Sequence, residues 1–196
     1  MCVTRPRRFG KSMALSMLNA YYSKGCDSKE LFNGLKITNE KSYLEHLNKH
    51  NVIWIDLSSI YADVSDKGDF VKELSLEIIQ DLKEAYPSVL TNNENTIRKC
   101  FIKLNSTIKE RFIFLIDEWD VIYREEEKNT KLCDEYTMFL RGLFKSSDVS
   151  AIIDLVYMTG ILPIRKYTTQ STLNMFSEYN MLDPDDLSTY FGFTEE

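Results

Sequence analysis

Residues 5–12 read RPRRFGKS and are the densest stretch of potential chemistry in the chain. Gly10-Lys11-Ser12 matches the end of the G-x-x-x-x-G-K-[ST] phosphate loop. Each residue type has a physical task there. Gly10 lets the backbone turn so that N–H groups face phosphate oxygens. Lys11 reaches the β- and γ-phosphates as a point charge, and the Ser12 hydroxyl suits Mg²⁺. The helix that follows starts here, so its positive end faces the same anion. Arg7, Arg8, Phe9, Gly10, Lys11, Ser12 and Met13 are the candidate nucleotide-contacting residues. Arg5 stands where the general motif has its first glycine, and Pro6 fixes one φ angle, so stiffness replaces flexibility in the turn. Arg5, Arg7, Arg8 and Lys11 place four positive charges within twelve residues that hold no acid, which suits a polyphosphate.

A second constellation lies at residues 112–120, FIFLIDEWD. A short, continuously apolar run fits a strand buried on both faces, and here it ends in Asp117-Glu118. That is the Walker B arrangement: Asp117 is placed to hold Mg²⁺, and Glu118 to orient and deprotonate an attacking water. Strand alternation predicts that the two carboxylates point in different directions. A Gly-Lys-Ser/Thr tripeptide alone arises by accident in roughly one chain in ten of this length, and an apolar run ending in Asp-Glu in fewer than about one in fifty. Both together, in this order, point to nucleotide binding. Residues 152–159 form a further apolar strand ending in Thr159-Gly160. In additional-strand P-loop ATPases such a strand lies between the Walker A and Walker B strands. Thr159 is then the candidate γ-phosphate sensor.

The elements that must position these groups follow from periodicity. Residues 12–23 carry Ala14, Met17, Leu18 and Tyr21 at helical spacing. Residues 51–57 (NVIWIDL) read as a strand. Phe70, Leu74, Ile78 and Leu82 predict a helix over 69–85, stopped before Pro87. Thr91 with Glu94 resembles a capping box opening a helix whose stripe is Ile97, Phe101, Leu104 and Ile108. Leu132, Tyr136, Phe139 and Leu143 mark another helix, and Asp183-Pro184 opens one running to about Gly192. Strands alternating with helices predict an α/β fold: a three-layer α/β/α P-loop NTPase with a mainly parallel central sheet.

The chain has 196 residues, 43% hydrophobic and 28% charged, with seven glycines and four prolines. These are globular proportions, without linkers or low-complexity stretches. A formal net charge of −6 argues against a mainly nucleic-acid-binding surface, so contact with nucleic acid is expected only indirectly. No secretory leader or membrane span is evident, and cytoplasmic localisation is expected. Cys2, Cys26, Cys100 and Cys133 form no C-x-x-C pair and read as reduced thiols. His46 and His50 lack the glutamate of a helical zinc motif and read as solvent-exposed. Residues 161–196 are less regular than the rest, and the acids of 183–196 read as a solvated end or a contact with a further domain. One domain is expected over 1–196.

The strings TRPRRFGKS, IWIDLSS, FLIDEWD, YMTG and FGFTEE resemble the bacterial predicted AAA-ATPase-like family, which in turn resembles signal-transducing P-loop ATPases. Arg5 agrees with that family's own loop pattern, and Trp119 stands where tyrosine is common. The resemblance implies that Lys11 and Ser12 bind phosphate and Mg²⁺, Asp117 binds Mg²⁺, Glu118 activates water and Thr159 senses. It further implies Mg²⁺-dependent ATP binding and hydrolysis that switch an attached effector, the alternative being a nucleotide switch with negligible turnover. Members commonly carry a C-terminal restriction-endonuclease-like domain, which would begin beyond residue 196; oligomers are compatible with the family. With four residues before the loop, the expectation is a module truncated at both ends.

Overall fold

The computed structural model describes residues 1–164 and 173–180. Five strands form one sheet: β1 (Cys2–Thr4), β2 (Asn51–Asp56), β3 (Phe112–Asp117), β4 (Ile153–Gly160) and β5 (Glu178–Tyr179). Their order is β2-β3-β4-β1-β5, and every pair is parallel. The strand ending in Thr159 therefore lies between the strand feeding the phosphate loop and the one ending in Asp117. The carboxyl ends of all five strands open on the same edge, where open α/β sheets bind ligands.

The α-helices are α1 (Lys11–Tyr22), α2 (Tyr43–His46), α3 (Leu57–Asp63), α4 (Phe70–Ala85), α5 (Ile97–Ile108), α6 (Val121–Glu125), α7 (Thr130–Lys145) and α8 (Ser147–Ser150). All six residues of β3 are buried. Strand alternation divides its side chains between two cores. Phe112, Phe114 and Ile116 enter a large cluster with residues of α4, α5 and α7 such as Leu74, Phe101 and Tyr136. Ile113 and Leu115 face the other way and meet Leu15 of α1, with Val3 and Tyr157. Helices thus cover both faces, and the three-layer α/β/α arrangement of a P-loop NTPase is what this sequence adopts. No helix among the described residues is long and apolar enough to cross a membrane.

Several sequence expectations are revised. The helix over 97–108 is capped by Thr96, whose side chain accepts from the Lys99 N–H. Thr91 and Glu94 do bond each other, the Thr91 N–H and hydroxyl both reaching Glu94 Oε2, but they close a turn six residues before the helix. Such side-chain bonds occur in turns as well as at helix ends, and it is Thr96 that directly precedes the helix with the extended φ/ψ of a cap. Ile108 ends that helix exposed, outside the buried stripe. In α1 the sheet takes Leu15 and leaves Met17 exposed, because the helix is rotated toward Ile113 and Leu115. The strand expected over 51–57 ends at Asp56, whose carboxylate accepts from the Ser58 and Ser59 N–H groups and caps α3, a helix the periodicity did not predict. The irregular region after 160 supplies β5. The helix expected at 183–192 lies outside the described residues.

Candidate functional site

The loop between β1 and α1 turns through two left-handed residues, Arg8 at φ 70° and Gly10 at φ 78°. Gly10 is the residue before the helix, with open space where a Cβ would be. A glycine adopts this conformation without strain, and the space beside it lets a ligand approach the backbone. The Ala14 N–H bonds the Gly10 carbonyl. The N–H groups ahead of Ala14 are therefore those an α-helix leaves without an intrahelical partner, aimed past the loop. Ser12 and Met13 lie exposed on this first turn. Phe9 is half-buried, while Arg7 and Arg8 are exposed and form no ion pair among the described residues.

Arg5 does something different from its neighbours. It is 3% exposed, and its Nη1 donates to the carbonyls of Thr4 (3.0 Å) and Tyr179 (2.9 Å). The residue in the place of the motif's first glycine thus ties the root of the loop to β5. Its charge does not join the exposed cluster formed by Arg7 and Arg8, which revises the reading of four positive charges facing a ligand.

Lys11 is 5% exposed, and its Nζ donates to the Pro6 carbonyl at 3.0 Å, folded back across its own loop. Burial lowers its pKa, and the carboxylates of Glu118, Asp117 and Asp120 oppose that shift. The loop and the acidic strand end, separated by over a hundred residues in sequence, are therefore electrostatic neighbours.

Asp117 ends β3 and is buried. One of its oxygens, Oδ1, accepts from the Glu118 N–H at 3.0 Å and from the Thr159 hydroxyl. Thr159 is fully buried, so its hydroxyl addresses Asp117 rather than the open space above the loop. Glu118 has left the strand: its φ is 53°, in the left-handed region. Strand alternation therefore does not govern the pair: Asp117 meets Thr159, while Glu118, beyond the backbone reversal, meets Arg124. After the reversal, the Trp119 N–H bonds the Thr159 carbonyl at 2.9 Å, locking the turn onto β4. Gly160 is needed at the meeting point, since a Cβ there would stand 2.5 Å from the Trp119 indole.

Two residues absent from the sequence reading complete the site. Asp120, fully buried, accepts from the Ile161 and Leu162 N–H groups at 2.9 and 2.7 Å and so holds the chain leaving β4. Arg124, one turn later on α6, contacts Glu118 Oε2 at 2.5 Å and Asp120 Oδ2 at 3.4 Å. Burial raises the pKa of Glu118, Arg124 counters that most strongly, and the Asp120 and Asp117 carboxylates add to it. A signal for Arg124 was present: it is the sole cation within DEWDVIYREEE, a stretch holding six acids. His46 and His50 also come together, Nδ1 to Nε2 at 3.0 Å, and lie away from the loop beside Tyr22. Asn174 accepts from Lys145 at 3.2 Å and takes no part in the site.

The donor set suits a nucleoside triphosphate with a hard cation. The helix-start N–H groups, a buried lysine and exposed arginines are donors of the kind phosphate oxygens accept from, and Ser12 and Asp117 carry oxygens of the kind Mg²⁺ prefers. Among the described residues no three His, Cys, Asp or Glu side chains gather around a point. Mg²⁺ at such sites takes one or two protein oxygens and completes its shell from phosphate and water.

The family described as "Predicted AAA-ATPase" matches residues 1–169. A protein of Azotobacter chroococcum mcd 1, described as "Uncharacterized protein in vnfD 5'region", is 24% identical over 196 residues, or 98% of this chain. The chain spans 36% of that relative's length.

Proposed function

The chain belongs to the predicted AAA-ATPase family, and from that membership we propose that it binds ATP with Mg²⁺, hydrolyses it, and switches an attached effector. The observation that carries this reading is geometric: parallel β1 and β3 flank β4, so the loop bearing Lys11 and the carboxylates of Asp117 and Glu118 lie at the same carboxyl edge of the sheet. The helix start at Gly10 and the exposed Arg7 and Arg8 bind phosphate, with Phe9 and Met13 flanking it. Ser12 and Asp117 hold the metal. When bound, Mg²⁺ neutralises charge on the phosphates and polarises the bond that breaks. Lys11 leaves the Pro6 carbonyl for a phosphate oxygen. Thr159 fixes the orientation of Asp117 through its hydroxyl, so its effect on the γ-phosphate passes through that carboxylate. Glu118 accepts a proton from the attacking water. The nature of the effector, a nuclease-like domain included, and any oligomer rest on family resemblance.

The second reading, a nucleotide switch with negligible turnover, is favoured by one contact. Glu118 is engaged by Arg124 at 2.5 Å, and in that arrangement its carboxylate is occupied. Calorimetric ATP titration and phosphate release decide between them. Lys11→Ala is expected to weaken ATP binding at least tenfold, given about 1.5–3 kcal/mol for a charge-assisted contact. Glu118→Gln should retain binding and slow phosphate release by about 10²-fold or more. Binding without release above the Glu118→Gln level establishes the switch, and absence of ATP binding removes both readings.

A further inference from the structure

Strand β2 is an edge of the sheet: it pairs with β3, and among the described residues nothing pairs with its outer side. Alternate residues of a parallel strand direct their main-chain groups away from the partner, so this side presents a row of free donors and acceptors. A groove of about 640 Å³ runs between this edge and α4. Its apolar floor includes Ile60, Ile78 and Leu82, and Trp54, 37% exposed, stands on β2 itself. The rim is acidic. Asp63, Glu77 and Asp81 are exposed and form no ion pair among the described residues.

We propose that this groove docks an extended, basic segment of a partner protein, which adds to β2 as a further strand. Length supports an extended occupant. The six residues of β2 span about 20 Å, enough to pair an average strand. Charge fixes the composition. Glu77 and Asp81 lie one helical turn apart on α4, a like-charge pair that destabilises the free helix. Burial raises the pKa of Glu77, and the Asp81 and Asp63 carboxylates raise it further. Lysine or arginine side chains on the alternate residues that face α4 relieve that repulsion, while the intervening apolar residues turn to the opposite face of the sheet, the side of Val52 and Trp54. A second copy of this chain would set acidic rim against acidic rim. Residues 181–196 hold five acids and no Lys or Arg, so their charge has the wrong sign as well. Edge addition gives affinity through the main chain and specificity through alternate side chains. This inference does not depend on the nucleotide reading.

Trp54 supplies the test, since the other tryptophan, Trp119, is fully buried. An eight-residue peptide of alternating Lys and Val is titrated at low salt and followed by tryptophan emission and by calorimetry. Three comparisons accompany it: the Glu/Val counterpart, a Lys/Val peptide N-methylated at alternate residues, and the chain carrying Glu77→Gln with Asp81→Asn. Both substitutions are on exposed side chains, so folding is retained. The expected result is saturable binding of the Lys/Val peptide, an emission change lost in Trp54→Phe, and affinity at least tenfold weaker in the double variant. The Glu/Val and N-methylated peptides should bind at least tenfold more weakly. Equal binding of the Glu/Val peptide, equal binding of the N-methylated peptide, or an unaffected double variant overturns the proposal.

Discussion

Glu118 occupies a backbone conformation that side-chain-bearing residues seldom adopt, φ 53°, at a cost of order 1–3 kcal/mol. The surrounding contacts hold it there: its N–H on Asp117, the next N–H on the Thr159 carbonyl, its carboxylate on Arg124. Such strain concentrates where geometry serves chemistry. The sign of its titration follows from the same contacts. Burial pushes the Glu118 carboxyl above its ordinary range and Arg124 pulls it back. If Glu118 is the base, turnover falls as pH drops through that raised value, because the carboxyl becomes protonated. Arg124→Gln removes the lowering contribution, so the acidic limb of the rate–pH profile should move to higher pH. A profile unchanged in Arg124→Gln would mean that Arg124 does not act on Glu118. The nearness of Lys11 to Asp117 and Glu118 could be expected from the sequence because the motifs bind residue type to spacing. Arg124 stands out as a lone cation among six acids, but which carboxylate it meets depends on the reversed turn after β3, which no local pattern announces.

Helices and strands were legible to the extent that their burial is periodic. Strand β3 and helix α4 are clear for that reason: one is buried at every residue, the other at Phe70, Leu74, Ile78 and Leu82. Strand β5 has two residues and no period to detect. The start of α5 was misread because two threonines, at 91 and 96, both bond nearby backbone N–H groups. Thermal unfolding separates them. Thr96→Ala should lower stability by about 1 kcal/mol, the usual worth of an N-cap, and Thr91→Ala by less. Arg5 belongs to this scale too, since it joins the strand that feeds the loop to the strand at the sheet's edge. Arg5→Met removes two charge-assisted bonds to carbonyls and should destabilise by about 2 kcal/mol or more, measured by denaturant unfolding. Restoring glycine there should do the same, despite bringing the sequence closer to the general loop motif.

For the molecule as a whole, alternating strands and helices were enough to predict a parallel, double-faced sheet. The strand order was not in the pattern. It came from placing the Thr159 strand between the other two, and the sheet order β3-β4-β1 has that arrangement. The site then joins distant parts of the chain, the loop at 5–12, the turn at 117–120 and the end of β4. A ligand that bridges them should stabilise the entire domain. ATP with Mg²⁺ at about a hundredfold over its dissociation constant contributes about 2.7 kcal/mol, or a rise of about 5–10 °C in melting temperature for this chain length. The same addition should leave the melting temperature of Lys11→Ala nearly unchanged.

Arg5 carries one more consequence, for how such sites are found by comparing genomes. Two of its acceptors are main-chain carbonyls, at Thr4 and Tyr179. Every amino acid offers that same oxygen, so the tether itself places no demand on the side chain at position 179. Pairwise co-variation, which detects contacts through compensating exchanges, will register no signal between positions 5 and 179. Searches that demand glycine at the loop's first position will pass over chains built this way. The tether is a contact that evolution can hold constant without leaving a correlated trace.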